Sequence, residues 1–574
     1  MTDDKPATKR SLVLGAYPAI QCPVRTHYDF DPSMVGAPIP ISPELQDAID
    51  AGNAFEAELF DRITADAPER FHVVDPDAYY RDAVDQTLVA MERGVEVIVR
   101  GALPEDSEGH RSGRPDLLIR HGNSWPATYL PGDVKLHKFL SAMKSNSRNT
   151  YAVTVAPASN PQQRSTLAEA RPRGGRLEPD ALQLVHYTRM LEAIGRHPGP
   201  DHYEAFLVSG DDWAMWGLNE VHGTWIALDE PAFTTYSRSE GTKTRSALER
   251  YDHEFGFRLA VAQNAAAGND SLVVPIYTSE CDNCPWYAVC GPVFDADPTT
   301  SFTSWRPTLR EWLALRTLGV HTVDQLAALE LTPEWLGSYQ AETGDRTKNA
   351  GKRIALTIEK AKIAVAGHAL AFRTDVVLPP SADVEIDLDM ENDTDNRVFL
   401  WGARLRRGDE SSFHIFVEWD HLSDESELAL ANQLTDWLAQ QRDSALANGE
   451  TIRVFHHGPV ERQRLTNIQG KSAVQDTGIE FVDTCAWAEK HLISAAGHGL
   501  KPLAVALGFA WRDDDPGGRN CQLWLDESRA TTDPQLRQIL RDRVLAYNED
   551  DTAATAWIRD HAPGLPTLAS LETE

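Results

Sequence analysis

Three cysteines stand together in TSECDNCPWYAVCGP, Cys281, Cys284 and Cys290 with the spacing C-x2-C-x5-C, and a fourth, Cys22, lies far upstream in IQCPVRTHYDF. The chain has 6 cysteines in 574 residues, too few for a disulfide framework. Four soft thiolates suit zinc or an iron-sulfur cluster. Structural zinc sites usually show two close Cys or His pairs, whereas here one distant cysteine joins a tight triplet, so the spacing tilts toward iron and sulfide. Unligated buried thiols are the bland alternative. Cys485 and Cys521 stand alone and are expected to be ordinary small buried residues.

A chain of this length implies roughly two to four domains. Hydrophobic residues at 42% and charged residues at 25% fall in the range of folded globular proteins. No apolar run is long enough to span a membrane, and MTDDKPATKR lacks the pattern of an export signal. A cytoplasmic location and no membrane partner are expected. Lys plus Arg is 55 against Asp plus Glu 86, a formal charge of -31, which disfavours non-specific polyanion binding. Charge acts locally, however. Between Lys135 and Arg176 stand Lys135, Lys138, Lys144, Arg148, Arg164, Arg171, Arg173 and Arg176 against Glu169 alone, a basic stretch that reads equally well as a solvated loop.

Ser42-Pro43-Glu44 predicts a helix start, followed by apolar Leu45, Ile49, Phe55, Leu59 and Ile63, so Glu56 and Glu58 ride on a helix. Strands are expected at Val95–Val99, Pro115–Ile119 and Thr128–Leu136. In EPDALQLVHYTRMLEAIG, helical spacing puts Gln183 and Tyr187 one turn apart. DADPTTSFTSW reads as a linker. Beyond it LREWLALRTLGVHTVDQLAAL is helical, with Leu318-Gly319-Val320 resembling the turn of one helix-hairpin-helix, and helix is expected to continue to near Ala371. A single such hairpin is more often a packing element than a nucleic-acid contact. From Val377 onward come strands DVEIDLDME, RVFLWGARL and SSFHIFVEW, a helix from Glu425 to Ala445, a strand TIRVFHH, then helices to the end. The expected class is multi-domain α/β, divided at 1–294, 295–375 and 376–574.

Gly113-Arg114-Pro115-Asp116 carries an acid at a turn into an apolar run, and Gly132-Asp133-Val134-Lys135 carries D-x-K on a strand, where alternation puts Asp133 and Lys135 on one face. Two carboxylates on neighbouring strands hold hard cations such as Mg2+ or Mn2+, while a lysine stabilises charge on an attacked phosphate or orients water. That is phosphodiester-hydrolysis chemistry, and Glu56 would add a ligand. The ordered set Gly52-x3-Glu56, G-R-P-Asp116, Asp133-x-Lys135 and Gln183-x3-Tyr187 resembles the RecB-like branch of the PD-(D/E)xK nucleases. The resemblance implies a restriction-endonuclease-type α/β core. Its catalytic set would be Glu56, Asp116, Asp133, Lys135, Gln183 and Tyr187, with Mg2+ or Mn2+ on the three acids. Glu56 stands where many members have histidine, and Glu58 competes for its role. The cysteines bracket these motifs as in the iron-sulfur nucleases of the AddB-type and CRISPR-associated kinds. This implies a [4Fe-4S] cluster on Cys22, Cys281, Cys284 and Cys290 that staples the two ends of the domain and takes no part in redox.

Near the C-terminus, Asp389 and Glu391 are two apart on a strand, Tyr547 and Asp551 four apart on a helix, and Glu461 begins a helix with His457 four residues before it. The set resembles the DEDD exonucleases of the RNase H-like fold. It implies two Mg2+ or Mn2+ ions on Asp389, Glu391, Glu461 and Asp551, with Tyr547 positioning water. The middle motif departs from the family, which has asparagine and aspartate where His457 and Glu461 stand, and Asp483 is another acid that could face the site. An active second site and a degenerate, binding-only domain both stay open. The whole order resembles predicted bacterial RecB-like nucleases with this C-terminal domain. The expected function is a metal-dependent nuclease on single-stranded DNA for DNA processing or repair, with a helicase as the partner protein considered. The rivals are a non-catalytic nucleic-acid-binding scaffold, a 3'-to-5' exonuclease active only in the C-terminal domain, and an electron-transfer centre, against which the lack of flavin or nicotinamide motifs counts.

Overall fold

A computed structural model describes residues 12–34, 43–142, 152–168, 170–237, 241–300, 308–344, 349–394, 396–514 and 516–571. Ser42, Lys144, Arg148, Glu169 and the linker residues Ser301 to Trp305 lie outside the described residues. The chain forms two units, Met1–Thr300 with Gln340–Lys348, and Ser301–Tyr339 with Asn349–Glu574. Helix makes up 48% and strand 20%, so the class is mixed α/β and multi-domain. Among the described residues no helix is long and apolar enough to cross a membrane.

The first unit is built on eight strands: β1 (Phe71–Val73), β2 (Val97–Val99), β3 (Leu117–His121), β4 (Thr128–Lys135), β5 (Ala152–Pro157), β6 (Ser165–Ala168), β7 (Glu204–Ser209) and β8 (His222–Ala227). They lie in the order β1-β2-β3-β4-β7-β8-β5-β6. β1 runs parallel to β2 and β7 parallel to β4, and the other pairs are antiparallel. The central strands are apolar at successive positions because both faces are covered. Val97, Val99, Leu117, Ile119, Phe206 and Val208 pack against Leu59, Phe60 and Ile63 of helix α1 (Pro43–Asp66). Ile98 and Leu118 pack with Met190 and Leu191 of helix α2 (Gly174–Ala193), and Leu207 with Leu182 and Val185 of the same helix. Gly132 is required where β4 squeezes between its neighbours. A Cβ there would lie 2.9 Å from the Leu117 Cβ and 3.1 Å from the Phe206 carbonyl oxygen.

In the second unit, Thr308 and Glu311 form a capping box on the helix Leu309–Thr317. Gly319 turns the chain at φ +82°, and Thr322 with Gln325 caps Val323–Ala327. Leu315, Val320 and Leu326 then close on Ile354 and Ile358 of the helix Ala350–Val365. This last helix stops short of Ala371. Gly367, at φ +77°, follows its C-cap, and Leu370–Phe372 is a strand paired antiparallel with Leu492–Ser494. Both three-residue strands, and a further one at Glu480–Asp483, replace helix expected from sequence, because short apolar runs carry no distinguishing period.

The C-terminal sheet contains β9 (Val384–Asn392), β10 (Val398–Arg407), β11 (Glu410–Val417), β12 (Ile452–His456) and β13 (Glu480–Asp483), ordered β11-β10-β9-β12-β13. The first three are antiparallel neighbours, and β12 and β13 run parallel to β9. Alternation divides β9 in two. Ile386 and Leu388 face Leu430, Leu434 and Leu438 of helix α3 (Asp424–Ala447), while the acids at 385, 387, 389 and 391 face helix α4 (Pro534–His561).

Candidate metal sites

In the first unit a cavity of about 530 Å3 is lined by Glu56 from α1, Asp116 from the turn into β3, Asp133 and Lys135 from β4, and Gln183 and Tyr187 from α2. All six residues of the sequence reading meet there, although they come from four elements. The Val134 N–H donates to Asp116 Oδ2 at 2.7 Å. Gln183 Nε2 donates to Asp133 Oδ1 at 3.2 Å and to the Tyr187 hydroxyl at 3.3 Å. The Lys135 ammonium pairs with Asp133. Glu56 accepts from Arg100 Nε at 3.3 Å, whereas Glu58 is exposed and lines no part of the cavity. Gly113 of G-R-P-D makes room for the tyrosine, since a Cβ there would lie 2.8 Å from Tyr187 Cε1.

Burial, then the charges of Asp133 and Glu56, push the Asp116 carboxyl well above the usual carboxylate range. Burial also raises Glu56, against the opposing pull of Arg100. Burial alone would lower the Lys135 ammonium, but Asp133 and Tyr17 hold its pKa above the ordinary value, so it stays charged. A cation held among acids that resist ionising side by side would offset their repulsion. Tyr17 and Arg100 are site residues that sequence reasoning missed. Tyr17 lines the cavity from an irregular segment that no motif marks.

In the second unit the acid face of β9 divides by function. Asp387 and Glu385 are neutralised by Arg559, at 3.2 and 2.9 Å, and Arg406 reaches Glu385 at 2.5 Å. Asp389 and Glu391 meet Asp551 of α4 instead, with one oxygen of each acid within 4.8 Å of the others. Asn548 Nδ2 donates to Asp389 Oδ2 at 2.6 Å, Trp511 Nε1 to Asp551 Oδ1 at 2.7 Å, and Lys501 Nζ to the Tyr547 hydroxyl at 2.9 Å. Burial first, then mutual repulsion, raises Asp389 well above its ordinary value and Glu391 to about 8, and burial raises Asp551. Tyr547 is pushed far up by burial and by the acids.

Glu461, buried in the first turn of the helix Val460–Gln469, lies close enough for its charge to act on Asp389. The His456 ring lies 3.6 Å from the Glu461 carboxylate. His457 turns elsewhere, to the Thr484 hydroxyl at 2.9 Å and the His498 carbonyl at 2.8 Å. Asp483 caps the helix Thr484–His491, accepting from the Ala486 N–H at 3.0 Å and the Gly458 N–H at 3.1 Å, and stands outside the Asp389–Glu391–Asp551 group. Cys521 is buried as expected, and burial, then the charge of Glu391, pushes its thiol well above the ordinary value. Cys485 donates to the His498 carbonyl at 3.3 Å.

Cys22, Cys281, Cys284 and Cys290, all free thiols, line one small cavity with Val24, Trp286 and Phe294. The Cys22 N–H donates to Glu280 Oε2 at 2.8 Å, which ties the two ends of the unit together. Burial raises the Cys22 and Cys284 thiols, and Cys290 to about 12, with the neighbouring sulfurs adding to it. Of the basic stretch, Arg164 pairs with Glu204 at 2.7 Å and lies 3.9 Å over the Trp225 ring, and Arg173 donates to the Leu140 carbonyl at 2.8 Å. Both are structural contacts.

Residues 386–562 match the family described as the RNase_H superfamily, a span that runs from β9 through α4 and contains the three-acid group. Residues 386–562 are therefore an RNase H-like domain, a fold generally of metal-dependent nucleases. No curated protein and no solved structure matches the chain.

Proposed function

We propose that the chain is a metal-dependent nuclease that hydrolyses phosphodiester bonds in single-stranded DNA during DNA processing or repair, with its principal site in the first unit. The observation that carries this reading is the convergence of Glu56, Asp116, Asp133, Lys135, Gln183 and Tyr187 on one cavity. Asp116, Asp133 and Glu56 would hold Mg2+ or Mn2+, which supplies Lewis acidity at the attacked phosphate. Lys135, kept charged by Asp133, offsets the developing charge, and Gln183 fixes the Asp133 carboxylate. Antiparallel β2, β3 and β4, followed by α2 and a strand parallel to β4, support a RecB-like core within residues 1–294. Residues 295–375 would serve as linker and hairpin, and 376–574 as the DEDD-type domain.

The four free thiols fit a [4Fe-4S] staple. They line one small cavity although Cys22 lies far from the triplet in sequence, and four thiolates suit iron and sulfide. A bound cluster would supply a cross-link between Cys22 and the triplet.

A second reading, a 3'-to-5' exonuclease working from the C-terminal domain, is favoured by the Asp389–Glu391–Asp551 group inside the matched family. Anaerobically purified protein assayed on labelled single-stranded DNA and RNA with Mg2+ or Mn2+, with iron and sulfide counted, separates the two. Lys135→Ala should abolish cleavage and leave the protein folded, as circular dichroism would show. Loss in Asp551→Ala, with full activity in Lys135→Ala, would move the activity to the C-terminal domain. Nucleic-acid binding without cleavage by any form would make the chain a scaffold.

A further inference from the structure

The cavity of the first unit has a neighbour that its motifs do not include. Two residues beyond Lys135, His137 Nε2 meets Asp180 Oδ2 at 2.9 Å. Asp180 lies on α2 three residues before Gln183, hence on the same helix face, and Gln183 in turn holds Asp133. Strand end and helix are thus joined by two successive bridges, Asp133 to Gln183 and His137 to Asp180. The Asp180 side chain is 6% exposed and the His137 side chain 23%, so the carboxylate is interior and the ring reaches solvent.

The backbone that carries His137 is held on both sides. The Gly210 N–H donates to the carbonyls of Lys135 at 3.0 Å and His137 at 3.3 Å. A Cβ on Gly210 would lie 2.1 Å from the Leu136 carbonyl oxygen, so only glycine permits this crossing. Just beyond, buried Asp211 accepts from the Phe139 N–H at 3.0 Å and the Leu140 N–H at 3.1 Å. A buried carboxylate orienting a partly exposed imidazole, on backbone pinned this closely, is more than a surface ion pair requires.

The chain bends at Leu136 and His137, and two residues reach at most about 7 Å, within the step between successive phosphates in an extended single strand. We propose that His137, oriented by Asp180, binds a phosphate of the substrate strand one nucleotide away from the phosphate cleaved beside Lys135. The proposal rests on the nuclease reading and deepens it, because the site would then take a polynucleotide in preference to an isolated phosphodiester. A doubly protonated ring gives one N–H to Asp180 and has the other for a phosphate oxygen.

The test compares wild type, His137→Ala, His137→Arg and Asp180→Asn on two substrates, a labelled oligothymidylate and bis(4-nitrophenyl) phosphate, which has no flanking phosphate. Strand binding is measured separately by fluorescence anisotropy in Ca2+ over a range of salt, and melting temperatures check folding. His137→Ala is expected to raise KM on the oligonucleotide on the order of tenfold with kcat nearly unchanged. It should flatten the salt dependence of binding by about 0.7 in log–log slope and leave the small diester unaffected. His137→Arg should restore binding, and Asp180→Asn should follow His137→Ala more weakly. An equal loss on both substrates, or an unchanged affinity and salt slope, would overturn the proposal. If wild type cleaves neither substrate while strand binding still depends on His137, the nuclease reading fails and the phosphate contact stands.

Discussion

Glu391 carries the clearest consequence at the scale of a residue. Its folded pKa of about 8 lies above the ordinary 4.5, through burial and then Asp551. A group raised on folding contributes stability that is fully present below about pH 4.5 and lost as pH rises through about 8. The metal-free protein should therefore lose up to a few kcal/mol of stability in the C-terminal domain over that window, and Mg2+ or Mn2+ should restore more at pH 8 than at pH 5.5. Differential scanning fluorimetry at the two pH values, with and without Mn2+, checks this, and Glu391→Gln should flatten the dependence. The same scale shows how far side-chain chemistry was legible. Asp389, Glu391 and Asp551 could be named from D-x-E and Y-x3-D spacing, because strand and helix periods place such residues on one face. Asn548, Cys521, Trp511 and Lys501 could not, because their roles arise from contacts between distant segments.

Between elements, the crossing of β10 and α4 depends on Gly402. A Cβ there would lie 1.7 Å from Asn548 Oδ1, and Asn548, fully buried, is the donor that orients Asp389. Gly402→Ala should displace Asn548, destabilise the domain by about 1–3 kcal/mol and weaken Mn2+ binding, as isothermal titration would show, although residue 402 touches no metal. The hairpin of the second unit is a more local device. Removing the Thr322 cap, as Thr322→Ala, should cost about 1 kcal/mol and appear as faster hydrogen exchange at amides 323–327. Elements with a strong period were readable. α1, α2 and α3 follow their apolar spacing, and β9 its alternation. β7 and β8 escaped notice because EAFLVS and HGTWIA, buried within the sheet, lack a polar face to mark them.

For the whole molecule, the four cysteines bring the two ends of the first unit to one small cavity, and the proposed cluster would cross-link them there. Cys22→Ser should lower the iron and sulfide content, destabilise that unit by ~2–5 kcal/mol, as loss of a long-range cross-link does, and leave Mn2+ binding at the C-terminal acids unchanged. An unchanged melting profile in cluster-loaded protein would count against the staple. Residue type and spacing along the chain determined the mixed α/β class, the helices and strands that carry the acids, and which acids, lysine and cysteines are the candidates, because these properties are local and periodic. Tertiary structure decided which of them meet. It chose Glu56 over Glu58, turned His457 and Asp483 away from the second group, neutralised Asp387 with Arg559, and set His137 on Asp180. Each of those outcomes depends on burial and on the approach of segments far apart in sequence, where desolvation and repulsion act on pairs that no local pattern brings together.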